Sequence, residues 1–212
     1  MLKAAIIPVT PFQQNCALLW DEESLRGSVI DPGGEVERIL AAIDELKITV
    51  ESILLTHGHM DHAGGAAELK EALPGAPPVI GPDRRDAFLL GGLEEQAAKY
   101  GMQARNLVPD QWLVEGDTVA IGGEEFGVLH CPGHTPGHVA FVQTRLRVAV
   151  VGDVLFRGSV GRTDFAYGDQ EALLAAIHGK LLPLGDDIAF LCGHGPGSSF
   201  GQERRSNPFL RS

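Results

Sequence analysis

Thr56-His57-Gly58-His59-Met60-Asp61-His62 sets three imidazoles and a carboxylate within six consecutive positions, 57–62. Imidazole and carboxylate are the ligands that zinc and its neighbouring divalent metals prefer. A solvated loop has little other use for H-x-H-x-D-H. The apolar run before it, Ser52-Ile53-Leu54-Leu55, reads as a buried strand, and residues 63–70 read as a helix start. The cluster therefore falls where a strand hands over to a helix, the place at which α/β proteins build their sites.

Three later segments repeat that chemistry. Cys131-Pro132-Gly133-His134-Thr135-Pro136-Gly137-His138 follows an expected strand, and its prolines and glycines hold a tight turn that aims His134. Val148-Ala149-Val150-Val151-Gly152-Asp153 is an apolar strand ending in a carboxylate. Ile188-Ala189-Phe190-Leu191-Cys192-Gly193-His194-Gly195-Pro196 is a strand ending in a histidine. A single strand-end Asp is most often a turn former. Four strand ends with His or Asp suggest convergence on one point.

Further out, strands are expected at 6–9, 16–20 and 27–30, the last broken by Asp31-Pro32-Gly33-Gly34. A helix over 35–46 follows, with Val36, Ile39, Leu40, Ile43 and Leu46 at helical spacing. A strand at 50–55 leads into the ligand run and a helix to 73. Val79-Ile80 forms a brief strand, and 83–100 is helical with a break at Gly91-Gly92. Residues 106–116 read as irregular. From 118 to 151 the pattern is β, with strands at 125–130, 138–143 and 148–151. A helix at 170–178, a strand at 187–191 and a tail at 198–212 close the chain. No linker or low-complexity tract interrupts it. The expectation is one domain, residues 1–212, of two packed mixed β-sheets flanked by helices.

Composition narrows the function. Hydrophobic residues make up 44% and charged residues 21%, enough to bury a core. The net charge of -11 repels phosphodiester backbones and anionic membranes, so neither nucleic acid nor a membrane is an expected partner. No apolar run reaches the length of a membrane span. The first residues lack a signal-peptide layout, so the expected location is cytoplasmic. Cys16, Cys131 and Cys192 lack C-x-x-C spacing and are expected as buried free thiols, the last two beside His134 and His194.

T-H-G-H-M-D-H, H-C-P-G-H-T-P-G-H, V-V-G-D and C-G-H-G-P together resemble the metal motifs of the metallo-β-lactamase fold superfamily, whose fold is an αββα sandwich. More narrowly they resemble its glyoxalase II-like, hydroxyacylglutathione hydrolase branch. Phe156-Arg157-Gly158-Ser159-Val160-Gly161-Arg162-Thr163-Asp164 and Asn207-Pro208-Phe209-Leu210 are similar to the short, single-domain bacterial members. The resemblance runs in order over nearly the whole chain. It implies that His57, His59 and His134 hold one divalent metal. Asp61, His62 and His194 would hold a second, and Asp153 would bridge the two. Asp61 and Asp153 are the candidate catalytic residues. Zinc is the expected metal; iron and manganese suit the same donors.

The implied activity is hydrolysis of S-lactoylglutathione or a related small-molecule thioester. A metal-bound water loses its proton near neutral pH and can attack the thioester carbonyl. A thiolate then departs without a protein acid, because a thiol has a pKa of about 8.5. Two alternatives stay open. A persulfide dioxygenase would use one iron on His57, His134 and Asp153, and carries a stretch like Gly161 to Phe165. A lactonase would use the same hydroxide as the thioesterase.

Longer glyoxalase II enzymes bind glutathione carboxylates with basic residues of a C-terminal helical domain, whereas this chain ends soon after His194. Arg157, Arg162, Arg204 and Arg205 are the nearest anion contacts, with Arg162 best placed for substrate binding unless Asp164 claims it. Asp31 and Thr56 are candidates to orient ligands, Asp31 being equally a turn former. His138 is expected to make a structural hydrogen bond, His130 to pack, and His178 to be solvated.

Overall fold

Alternation along the strands sorts the apolar side chains into three cores. In a computed structural model, which describes residues 1–211, the first sheet runs β1-β2-β3-β4-β5. These strands are Leu2–Val9, Gln14–Asp21, Arg26–Ile30, Thr49–Leu54 and Val79–Ile80. The first three pair antiparallel, and β4 and β5 continue in parallel. The second sheet runs β13-β12-β9-β8-β7-β6. Its strands are β6 Thr118–Ile121, β7 Glu124–His130, β8 Val139–Gln143, β9 Val148–Val150, β12 Ala189–Leu191 and β13 Ser198–Ser199. It is antiparallel apart from the β9/β12 pair.

Period two then decides which core each side chain joins. Cys16, Leu18 and Trp20 of β2 face outward with Ile53 of β4 and with Val36, Ile39 and Ile43 of α1 (Val36–Leu46). Ala17 and Leu19 face inward and meet Phe126, Val128 and Phe141 of the second sheet. On β8 and β9 the other parity, Ala140, Val142 and Ala149, packs on Leu173 and Ala176 of α6 (Gln170–Ala176). Two mixed sheets face to face with helices outside make an αββα sandwich, the expected fold class. Among the described residues, no helix is long and apolar enough to cross a membrane.

Several elements differ from their sequence expectation. The helix expected to run to 73 is two, α2 (Met60–Ala63) and α3 (Ala66–Ala72). Gly64-Gly65 separates them because the Asp31-Pro32-Gly33-Gly34 turn presses in there: Gly65 N–H donates to Pro32 O at 2.9 Å. The stretch 83–100 holds a 3-10 turn, α4 (Ala87–Leu90) and α5 (Leu93–Ala98), broken at Gly91-Gly92 as expected. The helix expected at 170–178 ends at Ala176 and widens into a π-turn over Ile177–Leu181.

The C-terminal stretch is not a plain tail. After β13 comes α7 (Phe200–Ser206), with Phe200 fully buried. A hairpin, β10 (Leu155–Phe156) with β11 (Ser159–Val160), also escaped expectation, since two-residue strands carry no period. One polar network holds both. Glu203 is fully buried; its carboxylate accepts from Gly158 N–H at 2.7 Å, Asn207 Nδ2 at 2.9 Å and the Ser198 hydroxyl. Asn207 Nδ2 also donates to Ser159 O at 2.9 Å.

Glu203→Ala would leave the buried Asn207 amide short of an acceptor and free the Gly158 turn and Ser198 from their shared anchor. We expect a stability loss of about 3 kcal/mol, read as a lower urea midpoint at unchanged m-value. A midpoint equal to that of the wild type would show that the network does not hold α7 in place.

Candidate metal centre

All four ligand-bearing segments open at one edge of the sandwich, and loops of both sheets interlock there. Val139 N–H at the start of β8 donates to Thr56 O at 2.8 Å, and Gly193 N–H to Gly152 O at 2.9 Å. Asn15 on β2 straps the His194 loop: its N–H donates to Gly193 O, and its amide to Cys192 O and Gly195 O. Gly193 must be glycine, because a Cβ there would overlap Asp153 Oδ1 and His62 Cε1. Gly33 is likewise fixed by the close approach of the Asp61 carbonyl.

Within this edge the histidines meet in two groups. His57, His59 and His134 form the first, Asp61, His62 and His194 the second. Asp31 with His57 and His62 is also close enough to ligate, but there each ring's Nδ1 is already hydrogen-bonded, to Thr56 and to Asp31 respectively. His59 Nδ1 stands 3.2 Å from His57 Nε2 and 3.0 Å from His134 Nε2. The far nitrogens decide the tautomers. His134 Nδ1–H donates to Arg162 O at 2.8 Å. The Thr56 hydroxyl gives its proton to Asp31 Oδ2 at 2.6 Å, so it accepts from His57 Nδ1–H at 3.0 Å. Both Nε2 atoms then present lone pairs toward His59. Tyr167 OH holds His59 Nε2 at 2.9 Å. Two lone pairs aimed at a third imidazole nitrogen about 3 Å away make a donor set that a cation would fit.

The second group shows the same need. His62 Nε2 lies 3.3 Å from Asp153 Oδ1, yet both atoms are buried and without a hydrogen-bond partner. Asp153 Oδ2 is 3.5 Å from both His134 Nε2 and His194 Nε2, so this carboxylate faces both groups. Asp61 Oδ2 is 3.3 Å from His194 Nε2. Two orphaned buried polar atoms aimed at one point fit a cation better than they fit a hydrogen-bonded core. The residues present fit a pair of divalent ions, and Asp153 could touch each.

Charge separates the two groups. Burial lowers the pKa of His57, His59 (to about 3) and His134, so these imidazoles are neutral and ready to ligate. Burial would also lower His62 and His194, but Asp153 and Asp61 outweigh it and raise both, His194 to about 9. Asp153 is driven well below the carboxylate range: burial opposes this, but His62 and His194 prevail. A cation entering the second group therefore displaces protons.

The supporting shell was partly foreseen. Asp31 is both turn former and anchor. At φ 53 it aims its carboxylate back to accept from Thr56 N–H at 2.7 Å, Thr56 Oγ1 at 2.6 Å and His62 Nδ1 at 2.9 Å. His138 makes the expected structural bond, its Nε2 accepting from Asp153 N–H at 3.0 Å. His194 Nδ1 donates to Phe12 O at 3.1 Å. His178 is exposed, and His130 binds Pro136 O at 2.8 Å, outside both histidine groups. Cys192 donates its thiol toward His194 O at 3.2 Å; Cys131 packs in the outer core, and all three cysteines are free and buried.

Asp86 was missed. Its buried carboxylate accepts from Gly58 N–H at 2.9 Å, Thr135 Oγ1 at 2.7 Å and Gly137 N–H at 2.5 Å. It thereby ties the 57–62 loop to the 131–138 loop. Burial pushes it up to about 6 against those three donors. In sequence it is one acid on a helical stretch, and no local signal marks it.

The centre lies in a cleft of about 750 Å³. Phe165 and Tyr167 stack on each other, ring centroids 5.2 Å apart, on one wall. Phe12 and Tyr100 meet edge to face at 5.1 Å. Arg162 reaches this wall, but its guanidinium gives Nε and Nη2 to Asp164 at 2.7 and 2.8 Å. Arg204 and Arg205 lie outside the cleft and pair with Asp186.

The sequence profile of the metallo-beta-lactamase superfamily matches residues 9–194. The chain is 49% identical over 209 residues to a Haemophilus influenzae protein described as hydroxyacylglutathione hydrolase GloC, covering 98% of this chain and 97% of that one. The crystal structure of BLEG-1 B3 metallo-beta-lactamase superposes with a TM-score of 0.90 at 35% identity, over all of both chains. That of TTHA1623 in a di-iron-bound form gives 0.87 at 40% identity, over 97% of this chain and 100% of the other.

Two outcomes are expected. Metal uptake by the stripped protein at pH 7 releases protons from the second group, so its affinity climbs as pH rises through the raised pKa values of His62 and His194. The first group, with His59 at about 3, adds none. Calorimetry in buffers of different ionisation enthalpy reads this, and buffer-independent heats would refute it. Asp86→Ala should weaken metal affinity about ten- to a hundredfold by chelator competition, because both ligand loops lose a common anchor.

Proposed function

The chain belongs to the metallo-β-lactamase superfamily and is a metallo-hydrolase, and on that premise we propose that it hydrolyses a thioester of the S-lactoylglutathione kind. We propose further that residues 1–212 form one hydrolase domain around two divalent ions. His57, His59 and His134 hold one ion, Asp61, His62 and His194 hold the other, and Asp153 bridges them. Zinc is the metal proposed; iron and manganese compete for the same donors.

The observation that carries this reading is the Asp153 carboxylate. It faces both histidine groups, and its Oδ1 has no hydrogen-bond partner. A mononuclear site leaves the second group without purpose. The description of the Haemophilus influenzae relative supports the thioester half.

When bound, the ions supply an acidified water and polarise the substrate carbonyl. The chain's own groups do the rest. Burial would raise the pKa of Asp61, but His62 and His194 keep it low, so its carboxylate remains an acceptor at the cleft floor. There it can hold a proton of the attacking water in line. The stacked Phe165 and Tyr167 wall orients the acyl group and excludes bulk water. A thiolate leaves unaided, so the cleft needs no acid beside the leaving group, as an amide would require.

Metal-loaded protein should release thiol from S-lactoylglutathione and contain two ions per chain. Asp153→Ala should lose metal and cut kcat at least about a thousandfold while keeping its circular dichroism. Near-normal turnover in that variant removes the bridging role. Oxygen uptake with glutathione persulfide, with no thioester cleavage, would replace the hydrolase by a dioxygenase.

A further inference from the structure

Three cations face the cleft: Lys99, Arg157 and Arg162. Two are neutralised locally. Lys99 lies 3.1 Å from Glu95, and Arg162 pairs with Asp164 while lying 4.6 Å over the Phe165 ring. Among the described residues, Arg157 alone of the three pairs with no carboxylate. On a chain of net charge -11, an uncompensated cation on a cleft wall makes a local field that favours anions.

An exposed arginine is ordinarily just solvated. This one is displayed from a fixed platform. Arg157 and Gly158 are the two residues between the paired Phe156 and Ser159, with Gly158 at φ 75. The buried Glu203 and Asn207 clamp that turn from behind, through Gly158 N–H and Ser159 O. The preceding Phe156 ring lies 6.2 Å from the His194 ring, so the arginine starts one residue from the candidate centre. The cleft, at about 750 Å³, also has room for a carrier much larger than a short acyl group.

We propose that Arg157 is a specificity residue: its guanidinium takes an anionic group of the thiol carrier while the thioester carbonyl lies at the proposed ions. This rests on the thioesterase reading above. A planar guanidinium accommodates either a carboxylate or a phosphate through paired N–H donors. The anion therefore comes from a peptide thiol or from a nucleotide thiol.

Three thioesters of one acyl group separate these sources: S-lactoylglutathione with its carboxylates, lactoyl-coenzyme A with its phosphates, and S-lactoyl-N-acetylcysteamine with no charge. Metal-loaded wild type, Arg157→Ala and Arg157→Lys are compared by the ratio of kcat/KM on each anionic substrate to that on the neutral one. The wild type should favour one anionic carrier, which identifies the anion. Arg157→Ala should lower that ratio about five- to tenfold, through KM rather than kcat, and Arg157→Lys should restore part of it. An unchanged ratio overturns the proposal, as does a loss shared equally by the neutral thioester. If the wild type cleaves none of the three, the thioesterase reading has failed. Arg157 is then judged by calorimetric titration of free glutathione and coenzyme A into the metal-loaded protein. Weaker binding of either to Arg157→Ala sustains the anion role; equal or absent binding ends it.

Discussion

Buried imidazole nitrogens and carboxylate charges converge on one edge of this sandwich without a full set of hydrogen bonds to satisfy them. His62 Nε2 and Asp153 Oδ1 are buried without a hydrogen-bond partner, and in the neighbouring group His57 Nε2 and His134 Nε2 both stand within 3.2 Å of His59 Nδ1. Groups of this kind cost several kcal/mol each when left alone in a low-dielectric interior. A cation removes that cost, and so the same feature that makes the edge unfavourable to fold makes it favourable to load. Most of the surrounding hydrogen bonding can be understood as the means of keeping these groups aimed at one another despite that cost.

The anchoring is distributed rather than local. His57 and His62 are both held through Asp31, one by way of the Thr56 hydroxyl and one directly. His134 is held by a carbonyl of the 162 loop, His194 by the β1–β2 turn, and the Asp153 backbone by His138. Asp86 joins the two histidine loops to each other. His62, His134, His194 and Asp153 are thus each oriented by a group from another part of the chain, and packing of both sheets is a condition for the geometry of the cluster.

The same clamp principle extends to the cleft wall. The Glu203–Asn207 network fixes a two-residue turn, and the turn determines where Arg157 stands. A polar core beneath α7 therefore has a consequence at the mouth of the site, although no residue of α7 lines it. Arg162, the more conspicuous candidate from its motif, spends its donors on Asp164 and gives its backbone carbonyl to His134.

Period and motif carried much of this protein in its linear sequence. Alternation in β2, β8 and β9 and the helical spacing of α1 gave the layers, because burial on one face repeats every second or every third to fourth residue. H-x-H-x-D-H and the three later strand-end motifs named the candidate ligands, because metal chemistry admits few side chains. Other features needed the folded chain. Hairpin β10–β11 and helix α7 are held by a polar network that no apolar period announces. Asp86 is one acid among many until Gly58, Thr135 and Gly137 are brought to it from loops nearly 30 and 50 residues away. Which arginine stays free is likewise a matter of who its neighbours are in space. Pairing between residues distant in the chain leaves no local pattern, so only tertiary structure decides it.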